Sequence, residues 1–120
     1  MGFAEAITSG FSSMTKFSGR AKRSEFWYWI LFVAILEIVA YVLGGLLGRN
    51  DNAFVGLIFN LIAVVLILAT LAVGCRRLHD TGKTGWLQVL LIIPCVGHII
   101  LIILWLPASH AGDNQYGPAA

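Results

Sequence analysis

The sequence predicts an all-α integral membrane protein, a helical bundle buried in lipid, and three observations carry that prediction. Apolar residues make up 58% of the 120 positions and charged residues only 12%, against roughly 45–50% and about 25% in ordinary globular domains. The apolar residues fall in three long runs, at 26–47, 53–74 and 86–106. A run of about 20 apolar residues is enough to cross a hydrocarbon core about 30 Å thick. Seven of the eight Lys and Arg residues flank those runs on one predicted side, the asymmetry expected when cations are retained in the cytoplasm. At this length the whole chain reads as one membrane domain.

Residues 1–25 form the entry. Phe3, Ile7, Phe11 and Met14 recur at steps of four, four and three, which places them on one face of a helix. With no bulk core to pack on, that amphipathic helix is expected to lie at the membrane interface. Arg20, Lys22 and Arg23 follow, then Ser24 as a candidate N-cap and Glu25 at the positive end of a helix dipole. Phe26-Trp27-Tyr28-Trp29 beside this basic cluster marks a membrane–water boundary. The first run is too long for a signal-peptide core and has no small-x-small cleavage site, so it is expected to be retained.

The first span, 26–47, is roughly 33 Å of helix. Gly44, Gly45 and Gly48 loosen its far end, and the Gly44–Gly48 spacing suits close helix approach and self-association. Arg49 to Asn52 is a short polar turn, so the second span, 53–74, must run back antiparallel to the first. Residues 75–85 read as a basic loop. The third run, 86–106, contains Pro94 and Gly97. It is either one kinked span or a re-entrant hairpin turning at Pro94–Gly97, whose exposed turn would need protein cover. Residues 107–120 read as an irregular tail. The cation bias puts the N-terminus and the 75–85 loop in the cytoplasm.

Several positions invite chemistry. Glu37, Asn60 and His98 lie at similar counted depths, roughly 17–21 Å from the predicted cytoplasmic ends. They are a candidate intramembrane polar layer, either a proton or cation relay or a hydrogen-bonded glue between helices. Arg20, Lys22, Arg23, Arg76, Arg77 and Lys83 form a candidate basic face for anionic lipid headgroups or a protein partner. In the loop, His79 and Asp80 are placed to bond each other or to orient an arginine. Gly82-Lys83-Thr84 lacks the upstream glycine and strand of a phosphate-binding loop. Cys75 and Cys95 read as packing thiols with no metal site. Ser109-His110 is not a triad arrangement. A net charge of +2 gives no footprint for nucleic acid.

Four stretches together carry a family likeness: Gly19 to Trp27, Arg76 to Trp86, Ile93 to Gly97 and Gly112 to Pro118. In this order they resemble the YhaH-type family of small bacterial inner-membrane proteins (domain of unknown function 805), with Arg76-Arg77-Leu78-His79-Asp80 the most specific part. Ala108-Ser109-His110-Ala111 departs from the lead-in usual before the terminal glycine–asparagine motif. The resemblance implies a bacterial plasma-membrane location and no particular activity. The expected function is therefore non-enzymatic, with no cofactor. It is an accessory or scaffold protein whose partners are anionic lipid, a second copy of the chain or another membrane protein. The alternative is a small oligomeric transporter or channel using Glu37 and His98.

Overall fold

A computed structural model describes residues 2–118. The described residues form four α-helices, α1 (Phe3–Ser12), α2 (Arg23–Leu46), α3 (Ala53–Asp80) and α4 (Val96–Trp105), with a 3-10 helix at Gly85–Ile92 between α3 and α4. The described residues contain no strand, only one isolated bridge between Asn114 and Gly117.

α2 and α3 are the two long apolar helices. Only 11% and 6% of their most apolar stretches are buried within the chain. The core helix of a soluble protein would be covered, whereas these two are bare, long and apolar enough to cross a membrane. The pair is antiparallel, because Glu25 meets Arg76 and Trp29 donates to Thr70 Oγ1 at 3.0 Å. At the far end Gly48 adopts φ +74° after α2, a conformation open to glycine. α3 starts at Ala53 as expected, and Asn52 caps it: its side chain accepts from the Phe54 and Val55 amides at 3.0 and 3.2 Å. The start of α2 differs from expectation: the N-cap is Lys22, without a side-chain cap bond, and Ser24 lies inside the first turn.

α1 carries Phe3, Ile7 and Phe11 of the predicted stripe and leaves Met14 in the turn after it, and small residues make the contact. Ala6 and Gly10 are its buried positions. A Cβ on Gly10 would sit 2.1 Å from the Trp29 ring, so only glycine lets the two helices meet there. Phe3 and Phe11 flank this seam and stand edge-on to Tyr28, Trp29 and Phe32. The apolar stripe thus packs on the opening turns of α2.

The first six residues of the expected 75–85 loop are helix, and only 81–84 form a turn. α3 continues through Cys75-Arg76-Arg77-Leu78-His79-Asp80. Nothing in that stretch breaks a helix, and the residue that leaves helical space is Gly82, at φ +78°. Gly74 stays inside α3, buried beneath the Gln88 and Trp105 side chains.

The third apolar run is not one continuous helix: it doubles back on itself. Its first half is the 3-10 helix and its second is α4. Gly85 lies against Cys75. At the other end the Trp105 indole donates to Gly74 O at 3.3 Å and packs 4.8 Å from Phe26. Both ends of the run therefore sit at the same level of α3. Pro94 makes the turn. It disfavours helical geometry at Ile93, which is extended at φ −87°, ψ 109°. Cys95 then takes φ +61°, ψ −67°, and the Val96 amide bonds Pro94 O at 2.7 Å. This is a tight three-residue turn of the strained hand. Each arm is about 15–16 Å long from its rise per residue, roughly half the bilayer core.

The arms cross where Gly97 touches Leu90; an added Cβ would lie 1.8 Å from Leu90 O. Gly97→Ala should therefore spread the hairpin and cost about 1–3 kcal/mol. Cys95→Gly should raise stability by about 1 kcal/mol through relief of the positive φ. Thermal unfolding of the two variants in detergent should shift in opposite directions, and a shared direction would contradict this turn geometry.

Candidate functional site

The end of the bundle where α2 begins and α3 finishes holds its buried charge. Asp80 is fully buried. Its carboxylate accepts from Arg20 Nε at 2.9 Å, from Arg77 Nη1 at 2.7 Å and from the Ser109 hydroxyl. A buried carboxylate survives only when its lone pairs are filled, and here three donors from three segments fill them. A second buried pair lies alongside, where Arg76 Nη1 donates to Glu25 Oε2 at 3.1 Å and Ser9 Oγ donates to Glu25 Oε1 at 2.9 Å. Arg76 Nε and Nη2 have no partner among the described residues.

The arginines do more than neutralise acids. Arg77 Nε donates to Trp105 O at 3.1 Å, and its other nitrogens reach Ala21 O and Pro107 O. Arg23 donates to Leu106 O at 3.3 Å. The final carbonyl of α4 and the two that follow it, which no helical amide satisfies, are thus met by cations. Arg20 Nη1 donates to Gly112 O at 2.6 Å and Arg20 Nη2 to His110 O at 2.7 Å. The end of α3 is finished by the tail: His110 N donates to Asp80 O at 2.7 Å and Asn114 Nδ2 to His79 O at 2.9 Å.

These contacts change the predicted basic face. Arg20, Arg76 and Arg77 are occupied by internal ion pairs. Lys22 and Arg23 are exposed and Lys83 is half-buried. Among the described residues none of the three is in an internal ion pair, although Arg23 also donates to Leu106 O, so these three can meet an outside anion. His79 and Asp80 do not bond each other through their side chains. Asp80 orients arginines, while His79 Nδ1 lies 3.0 Å from Gly19 O and Nε2 lies 3.6 Å from Cys75 Sγ. Asn114 and Tyr116 lie in the Gly112–Pro118 stretch that carries the family likeness, but the sequence assigned them no role. Neither Ser9 nor Ser109 stands out locally, since each of the four acts on a residue at least 16 positions away.

Beside His79 lies a cavity of about 590 Å³, open on one side, bounded by Phe17, Leu71, Cys75, Trp86, Val89 and Tyr116, among others. A second, of about 530 Å³, lies at the far end near Tyr41 and Arg49. Neither is lined by Glu37, Asn60 or His98. Those three residues are exposed on the helix surfaces, and among the described residues they form no hydrogen bond or ion pair with one another. Among the described residues no three His, Cys, Asp or Glu side chains are placed to share a metal ion.

Two bare apolar helices, a doubled-back third segment and a charged end sealed by its own tail define a small helical membrane protein. The chain belongs to the family described as Protein of unknown function (DUF805), which matches residues 14–118. It is similar to the Inner membrane protein YhaH of Escherichia coli strain K12, 35% identical over 102 residues that cover 85% of this chain and 84% of that one. It is also similar to the Inner membrane protein YhaI of the same strain, 33% identical over 101 residues, covering 84% and 82%. The Uncharacterized protein YiiR of that strain is 37% identical over 79 residues, which is 64% of this chain and 49% of YiiR. No solved structure matches significantly.

Removing Asp80 leaves two buried guanidinium groups without a counter-charge. Asp80→Ala should cost about 3–5 kcal/mol and free the tail. Limited proteolysis of the detergent-solubilised protein should cut residues 107–118 much faster in the variant than in the parent. Equal rates would show that Asp80 does not hold the tail.

Proposed function

We propose that this protein is a non-enzymatic accessory protein of the bacterial inner membrane that assembles side by side with other membrane helices. Its relatives YhaH and YhaI carry the name inner membrane protein, which supports the location. The observation that carries the function is Glu37. It lies midway along α2, exposed, with no hydrogen-bond or ion-pair partner among the described residues. A carboxyl group facing lipid at that depth costs several kcal/mol unless another polar group meets it. Asn60 and His98 are exposed in the same way. A chain that carries both acceptors and donors on its lipid-facing surface is suited to a second copy of itself or to another membrane protein with matching polar groups.

In this reading both termini are cytoplasmic. The doubled-back third segment, together with the cation bias, favours two spans and a re-entrant hairpin. Lys22, Arg23 and Lys83 then face the anionic headgroups of the cytoplasmic leaflet, each contributing about 1 kcal/mol of attraction. The charged end orients and anchors the protein, and the spans make the contact.

The test is assembly in membranes. In a background with both native cysteines replaced by serine, Glu37→Cys should form a disulfide-linked dimer or crosslink to a neighbouring membrane protein. Glu37→Leu should lower recovery of the assembled species at least about fivefold, taking about 1 kcal/mol as the loss of one interhelical polar contact. An unchanged oligomer distribution for Glu37→Leu would sink the proposal. For topology, a fluorescent protein fused after the tail should fluoresce and alkaline phosphatase fused there should stay inactive. The reverse pattern would restore three spans. Lys22→Ala with Arg23→Ala should reduce the anionic lipid that co-purifies with the protein, read by native mass spectrometry.

A further inference from the structure

Cys75 and His79 stand one helical turn apart on α3, and both line the cavity at the charged end. Cys75 Sγ lies 3.6 Å from His79 Nε2, within reach for proton transfer after a small adjustment. The histidine is held on its other side. Its Nδ1 is 3.0 Å from Gly19 O, and a carbonyl only accepts, so Nδ1 carries the proton and Nε2 presents its lone pair to the thiol. The ring is also fixed in orientation, stacked on Tyr116 at 4.1 Å with planes 3° apart. A thiol, a base and a group that orients the base are the parts of an activated nucleophile.

The surroundings say what the thiol would meet. The cavity walls are Phe17, Leu71, Trp86 and Val89, and its volume is in the range of small-ligand sites. It opens where α3 leaves its apolar stretch, with Trp86 81% exposed at the rim. Gly85 passes so close that a Cβ there would fall 2.1 Å from Cys75 Sγ, so the wall beside the sulfur can be no thicker than glycine. The site therefore combines a thiol that burial keeps protonated, a base beside it and an apolar groove.

We propose that Cys75 is an acyl-acceptor site, taking a long-chain acyl group from an acyl thioester and lodging the chain in the groove. The thiol proton passes to His79 Nε2 as the sulfur attacks the thioester carbonyl. The new carbon–sulfur bond forms, the donor's carbon–sulfur bond breaks, and the leaving thiolate takes the proton back from His79. One thioester is exchanged for another, so no oxidant or further reactant is needed. In the resting state the thiol remains neutral, with Phe17 O as an alternative acceptor at 3.3 Å. This reading is independent of the assembly proposed through Glu37, which lies outside the cavity.

The test uses the full chain in phospholipid nanodiscs, in a Cys95→Ser background that leaves one thiol, with palmitoyl coenzyme A as the probe. Intact mass should rise by one acyl group less a hydrogen, and peptide mapping should place a hydroxylamine-labile adduct on Cys75. Modification should be faster than in the same chain denatured in detergent. His79→Gln, which keeps a polar side chain but no base, should slow it at least about a hundredfold. Val89→Trp, which narrows the groove away from the thiol, should slow palmitoyl transfer several-fold and leave acetyl transfer unchanged. The proposal is overturned if folded Cys75 stays unmodified or reacts no faster than in the denatured chain. It is equally overturned if a folded His79→Gln protein reacts at the parent rate. Should His79→Gln not fold, the chain-length split in Val89→Trp decides: equal effects on palmitoyl and acetyl transfer exclude the groove.

Discussion

A single buried carboxylate organises this protein. Asp80 takes hydrogen bonds from Arg20 before α2, from Arg77 on its own helix and from Ser109 in the tail. Its position at the last turn of α3 would otherwise be poor, because helix C-termini favour cations. The two guanidinium groups reverse that balance, and once they are recruited they satisfy backbone carbonyls from Ala21 to Gly117. The fold is thus arranged around keeping one negative charge paired, and the second buried pair of Glu25 with Arg76 extends the same solution towards α1.

This constraint also explains the path of the third segment. Arg77 binds Trp105 O and Pro107 O, so the end of α4 must return to the end of α3. A run of 21 apolar residues would span the bilayer by length alone. The arginine fixes its far end beside its near end, and Pro94 supplies the break. The hairpin is covered on one side by α3, where Gln88 Nε2 donates to Leu71 O at 2.9 Å. That contact provides a polar anchor for the short 3-10 arm.

Much of this was legible in the residues. The long apolar runs, the polar turn at Arg49–Asn52 and the amphipathic first helix follow from composition and spacing. The six extra residues of α3 did not show, because Arg-Arg and His-Asp read as loop when their partners are far away in sequence. A charged stretch without glycine or proline is as good a helix as an apolar one, and Gly82 was the informative break. The basic residues were visible but their fate was not. Whether an arginine meets solvent or a buried aspartate depends on pairings 60 positions apart. The polar layer of Glu37, Asn60 and His98 was located by depth alone. Depth says nothing about which way a helix face turns, and the three side chains look outward.

The closure of the charged end has a temporal meaning. Arg20 reaches Gly112 and Gly117, 92 and 97 positions later in the chain. Contacts this distant form late, since the loop they close must first be made. During synthesis Arg20, Arg77 and Asp80 emerge well before the tail that completes them. The tail therefore closes the charged end last, because each contact it makes there joins residues at least 29 positions apart.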